Sequence, residues 1–330
     1  SYLTLAPVVN FRDFHDLSTN STFELNQKYA KGKVRVEVNG NASTPIYMYI
    51  KDSNYIEHVN DTFENMYYLK EDERGFYPEE NLSVPGRFEI EPNVTKELTF
   101  VGSLEENIEE IDGFKIIEQE IKRQQEIVNI SNLDIHKEKM LKKDLEYNEF
   151  VNTLVLATDT FVVYRPSFGL HSMLAGIPWF LDWGRDSLIA FEGLLLIPHR
   201  YDIAKEIILT FTNNIRFGLV PNGFADDNNR PLYNSADASL LLFEQINKYL
   251  RYTSDIEFIK SIYSKLKNII DYYKRGIDFD ENNIHLDVDG LISSGTINTQ
   301  NTWMDVKYDG YAITPRNGKV VEINALWYNA

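Results

Sequence analysis

Over the first hundred residues, apolar and polar positions alternate with period two in short runs. Examples are "KVRVEVNG" (33–40), "PIYMYIKD" (45–52), "FENMYYL" (63–69), "GRFEIEPN" (86–93) and "KELTFVGS" (96–103). Turn residues bound each run, which predicts an antiparallel β-sandwich over 1–103. From 104 to 147 the composition shifts to Glu, Lys, Gln and Ile in blocks, as in "EEIDGFKIIEQEIKRQQEIVNI", and predicts a solvated helical linker.

Beyond 147 the period becomes helical. Ile203, Ile207, Phe211 and Ile215 form one stripe, and Ile259, Ile262, Leu266, Ile269 and Tyr273 form another, each spaced for a buried helix face. The spacing predicts helices near 148–163, 186–197, 201–217, 235–251, 255–275 and from 321 onward. Short connectors ("PHR", "YTS") alternate with long ones rich in Gly, Pro, Asn and aromatics: 165–185, 218–234 and 276–320. Helical hairpins set side by side would gather the long loops at one rim, where sites are commonly built.

The net charge of −17 opposes the phosphate neutralisation that nucleic-acid binding needs, and it disfavours anionic membranes. There are no cysteines, so disulfides and thiolate metal sites are excluded. No stretch is long and apolar enough to span a bilayer, and the N-terminal run "SYLTLAPVVNFRDF" lacks a signal-peptide layout, so the expected location is cytoplasmic.

The candidate chemistry lies in the long loops. In "WFLDWGRDSLIAFEG", Trp179, Phe180 and Trp183 precede Arg185-Asp186 and an apolar helix. Asp186 could simply cap that helix while Arg185 pairs with a carboxylate. Aromatic planes beside a charged fork also suit a sugar, whose C–H faces stack while its hydroxyls pair with Arg and Asp. In "NTWMDVKYDGY", Trp303 and Asp305 stand together. This is either a surface turn with a half-buried indole or a carboxyl kept protonated by an apolar wall, as a glycosidase's general acid requires. Asp237, Asp289 and Glu322 are available as a second carboxylate, although Asp237 also reads as a polar position at a helix start and Asp289-Gly290 as a turn.

Other chemistries lack support. The histidines have no metal-ligand spacing, and no G-x-S-x-G, phosphate loop or dinucleotide fingerprint occurs. "DFDENNIHLDVDG" departs from the order of a calcium loop. No metal or organic cofactor is expected.

"AGIPWFLDWGRDSLIAFEGLLL" and "NTWMDVKYDGYAITPRNGKVVEINALWYNA" resemble the amylo-α-1,6-glucosidase domain of glycogen debranching enzymes, and "LTLAPVVNFRDF" with the β-rich segment resembles the accessory domain of bacterial members. The Trp-x-Arg-Asp-Ser order is also similar to that of the glucoamylases. The resemblance implies an (α/α)6 toroid of helical hairpins that hydrolyses α-1,6-linked glucose stubs on glycogen or related α-glucan oligosaccharides, with inversion. Asp305 would be the general acid and Trp303 a sugar platform, with Trp179 and Trp183 as further stacking residues. Arg185 and Asp186 would hold the terminal hydroxyls of the nonreducing glucose, with Glu322 and Asn324 lining the same cleft.

Six predicted helices are half of such a toroid. Residues 148–330 are therefore expected to be its N-terminal half, the general base to lie outside the chain, and the 330 residues alone to be inactive. The uncovered apolar face would favour self-association. The alternatives are a glucoamylase- or trehalase-like enzyme of the same toroid and a non-catalytic glucan-binding module.

Overall fold

A computed structural model describes residues 3–13, 16–19, 23–38, 44–91, 97–133, 142–177, 180–225 and 230–330. The chain separates into two compact units, Ser1–Lys122 and Arg123–Ala330.

The first unit contains β1 (Leu3–Leu5), β2 (Leu25–Ala30), β3 (Lys33–Val38), β4 (Ile46–Ile50), β5 (Asn54–Tyr67), a short helix α1 (Leu69–Glu73), β6 (Glu79–Ile90) and β7 (Phe100–Ser103). Two antiparallel sheets result, one in the order β1-β6-β5 and one in the order β2-β3-β4-β7. The period-two pattern sets which side chains face inward. Val34 and Val36 of β3 and Met48 and Ile50 of β4 share one core with Tyr55 of β5 and Phe88 and Ile90 of β6, while Lys33, Arg35 and Glu37 point away from it.

Lys31 and Gly32 join β2 to β3 with both φ angles positive (50° and 82°), the turn whose twist matches a hairpin. Only glycine fits at 32, since a Cβ there would lie 2.6 Å from the Ile50 carbonyl oxygen. At the other sheet, buried Glu80 accepts from Asn10, from the Tyr68 hydroxyl at 2.6 Å and from the Ser18 amide at 3.1 Å, and it pairs with Arg12. These bonds tie the N-terminal segment to β6 without leaving the carboxylate unpaired.

The second unit is mainly helical: α2 (Gly113–Ser131, which begins in the first unit), α3 (Lys142–Asp159), α4 (Gly184–Phe191), α5 (Tyr201–Asn213), α6 (Ala238–Thr253), α7 (Ile256–Arg275) and α8 (Val321–Asn329). Four two-stranded ribbons lie between them: β8–β9 (Val162–Arg165, Leu170–Met173), β10–β11 (Gly223–Phe224, Pro231–Leu232), β12–β13 (His285–Leu286, Ile292–Ser293) and β14–β15 (Lys307–Tyr308, Tyr311–Ala312).

Five of the predicted helices begin within about three residues of their expected starts, and α3 begins six earlier. α4 continues as a single wider turn over Glu192–Leu196. The buried face of α7 is Phe258, Ile262, Leu266, Ile269 and Tyr273, with Ile259 of the predicted stripe partly buried at its edge. Asp255 accepts from the Phe258 amide at 3.1 Å and so starts this helix, and Gly276 at φ 105° ends it. One core joins Leu188, Phe191 and Leu195, Ile207 and Phe211 of α5, Leu242 and Ile246 of α6, the α7 stripe, and Ile323 of α8. That core fixes the helix ends from which the long loops depart.

Candidate active site

The first turn of α4 is held in place by backbone. Gly184 donates to the Asn222 carbonyl at 2.9 Å. A Cβ at Gly184 would lie 2.2 Å from the Pro221 carbonyl oxygen, so only glycine allows the helix start to abut the second long loop. Trp183 sits just before the helix, and its indole faces Gly223 of the same loop. Asp182 anchors the approach. It is 2% exposed and accepts from Ser172 Oγ of β9 at 2.8 Å and Arg165 Nη2 of β8 at 3.0 Å. Burial raises its pKa despite these partners.

Arg185 follows within the first turn, and its side chain is 8% exposed. Its Nε donates to Asp237 Oδ2 at 2.7 Å and its Nη1 to Asp305 Oδ2 at 2.7 Å. Arg185 ends the first long loop, Asp237 stands three residues beyond the second, and Asp305 is in the third. Burial pulls the guanidinium's pKa down, but Asp237 and Asp305 outweigh it and leave the group above its ordinary value. The remaining nitrogen, Nη2, is buried and has no partner among the described residues. A buried donor left unpaired costs about 1–3 kcal/mol, so an acceptor that reached this nitrogen would be stabilised.

Asp186 does not cap the helix: Trp183 holds the cap position with no side-chain cap bond, and Asp186 is in the turn beyond it. Its side chain reaches solvent, yet crowding by neighbouring atoms raises its pKa, with the charges of Asp305 and Asp237 adding to the effect. Asp305 is more open than its partners, with 38% of its side chain exposed. Hydrogen bonds to backbone carbonyls bring its loop to the cluster. Asn301 O accepts from Ala236 N at 2.8 Å, and Asn301 Nδ2 donates to Asn282 O at 3.0 Å. Asn282 Nδ2 in turn donates to Tyr233 O at 2.5 Å.

Trp303 is 55% exposed, and the Arg316 guanidinium lies 5.9 Å from its ring centroid. Glu322 Oε2 accepts from Arg316 Nη2 at 2.6 Å, and Glu322 Oε1 lies 2.5 Å from Arg316 Nη1 as an ion pair. Trp303, Arg316 and Glu322 thus form one chain of contacts. Asn324 is engaged with backbone instead: its Oδ1 accepts from Ile292 N at 2.7 Å, and its Nδ2 donates to the Ile292 and Val320 carbonyls at 3.0 Å each. These bonds join α8 to β13. Trp179 lies outside the described residues. Asp289 is exposed and shares Lys319 with Asp287, and the pair with Lys319 holds both carboxyls below the usual range.

The sequence left Asp237 among several possible second carboxylates and did not single out Arg316 or the Arg165–Asp182 pair. A polar residue just before a helix reads most simply as a cap, and the cap bond here belongs to Ser235, whose Oγ accepts from Ala238 N at 3.1 Å.

Residues 156–330 match the family model described as amylo-alpha-1,6-glucosidase, and residues 1–99 match the model of the glycogen debranching enzyme N-terminal domain. The chain belongs to the amylo-alpha-1,6-glucosidase family. A glycogen debranching enzyme of Saccharomyces cerevisiae is 30% identical over 222 residues, which cover 50% of this chain and 14% of the yeast protein. No helix among the described residues is long and apolar enough to cross a membrane, and none of them form a cluster of three metal-binding side chains.

Proposed function

We propose that the protein carrying this chain is a cytoplasmic glycosidase that hydrolyses α-1,6-glucosidic links in glycogen-like glucans, with Asp305 as general acid and inversion at the anomeric carbon. The reading rests on one observation above all. Arg185 and Asp305 are 120 positions apart in sequence, yet they meet at 2.7 Å, and the same guanidinium keeps a buried nitrogen without a partner among the described residues.

In this reading a nonreducing glucose pairs its hydroxyls with Arg185 Nη2 and Asp186 and stacks near Trp183 and Trp303. Asp305, the more open of the two carboxylates on Arg185, leaves the guanidinium and, in its protonated form, gives its proton to the glycosidic oxygen as the C–O bond breaks, ending as a carboxylate. An inverting reaction needs a second carboxylate about 6.5–9.5 Å away across the ring to activate water. Asp237 is held by Arg185 and Ser235 and does not serve as that base. Helices α3–α8 are read as helical hairpins of a six-hairpin toroid, and Leu145, Phe150 and Leu154, exposed on α3, belong to a face that associates with other protein.

Rates of the full-length protein on isomaltosyl and maltosyl stubs test the reading. Faster release from the α-1,6 stub supports it, and a clear α-1,4 preference overturns the linkage. Oligosaccharide binding without turnover would make the protein a glucan-binding module.

A further inference from the structure

We infer that Asp237 is a positioning residue: it holds Arg185 by Nε, so that the rest of the guanidinium stays aimed at the sugar and at Asp305. The inference builds on the glycosidase reading.

Three observations carry it. Asp237 is 3% exposed, and both of its oxygens are committed, Oδ2 to Arg185 Nε at 2.7 Å and Oδ1 to Ser235 Oγ at 2.5 Å. It stands at the cap position of α6 yet makes no cap bond, because Ser235 satisfies the Ala238 amide and at the same time donates to Asp237. The carboxylate is thereby released from the helix and reserved for the guanidinium. Tyr273 donates to the Ala236 carbonyl at 2.7 Å from a fully buried position on α7, which fixes the backbone beside Asp237.

The division of labour on Arg185 follows. Nε faces a buried, fully bonded carboxylate, Nη1 faces the partly open Asp305, and Nη2 has no partner among the described residues. When Asp305 leaves to meet substrate, the buried guanidinium keeps one counter-charge and one fixed orientation. Without Asp237, the only carboxylate left on Arg185 among the described residues would be Asp305, which the reaction needs free.

The test is a double-mutant cycle in the full-length protein, read as kcat and KM on the α-1,6 stub and as oligosaccharide affinity by tryptophan fluorescence, with Tm as the control for folding. Asp237→Asn and Arg185→Ala are each expected to lower kcat/KM on the order of 100-fold, with KM rising as strongly as kcat falls. If Asp237 acts through Arg185, the double variant is within a few-fold of Arg185→Ala alone, since coupled residues are not additive. Ser235→Ala loosens Asp237 without removing a charge. It should cost several-fold in the wild-type background and nothing in Arg185→Ala, and it decides the matter if Asp237→Asn does not fold. Losses that multiply, or an Asp237→Asn protein with wild-type constants, overturn the assignment. A wild type active on the stub with multiplying losses removes only the role of Asp237, whereas a wild type that neither binds nor cleaves removes both readings.

Discussion

Arg185 Nη1 donates to Asp305 Oδ2 at 2.7 Å, although the two residues stand 120 positions apart and on different long loops. An aspartate that is 38% exposed thus shares a guanidinium with one that is nearly buried. That asymmetry separates the two carboxylates: the open one can exchange partners, and the buried one cannot do so without leaving a charge in a place water does not reach.

Asp305→Asn in the full-length protein is expected to lower kcat by about 10²–10⁴-fold, the usual contribution of a positioned acid. KM should change little, because proton donation acts in the transition state. Steady-state kinetics on the α-1,6 stub check this, and a kcat near wild type would take the acid's role from Asp305.

Arg185→Ala should destabilise the chain by about 3–5 kcal/mol, the cost of removing one partner of a buried ion pair. The cost arises because Asp237 is left charged at 3% exposure. Urea unfolding of the second unit's helical signal measures it, and a change below about 1 kcal/mol would mean that Asp237 finds another partner.

Asp186 should trade stability against binding. Although its side chain reaches solvent, crowding by neighbouring atoms raises its pKa in the folded chain, so the folded state binds its proton more tightly than the unfolded state does, and stability falls as pH rises through the folded value. The cost is absent below the unfolded value and fully present at neutral pH. Asp186→Asn should therefore raise Tm at pH 7 and leave it unchanged at pH 3, while weakening oligosaccharide affinity. A Tm that falls at pH 7 would contradict the sign of the effect.

Gly184→Ala adds one carbon, and the structure leaves no room for it, with the Pro221 carbonyl oxygen 2.2 Å from the new atom. Separating α4 from the second loop should cost about 1–3 kcal/mol by overpacking and carry Arg185 away from Asp237. Thermal unfolding and activity should fall together. Lost stability with intact activity would show that Arg185 does not depend on that contact.

Much of the framework was legible along the chain because it follows from local period. The alternation in 33–38 and 46–50 places Val34, Val36, Met48 and Ile50 on one side of a sheet, and the stripe from Ile262 to Tyr273 faces the core of the second unit. Asp305, Arg185 and Asp186 could be singled out because aromatic and charged residues gather in long loops. Asn324 shows the limit of such reasoning: its amide is spent on the backbone of Ile292 and Val320, bonds that depend on β13 lying alongside α8.

The sequence by itself determined where strands and helices form, which of their faces are apolar, and that charge and aromatics concentrate in three connectors. Period and turn chemistry act within a few neighbours, so they can be read without a fold. Only the tertiary structure decided that Arg185 is shared between Asp237 and Asp305, that Ser235 rather than Asp237 caps α6, and that one guanidinium nitrogen has no partner among the described residues. Those outcomes depend on which side chains come within about 3 Å of one another once the loops are anchored to a common core. Spacing along the chain carries no information about that distance.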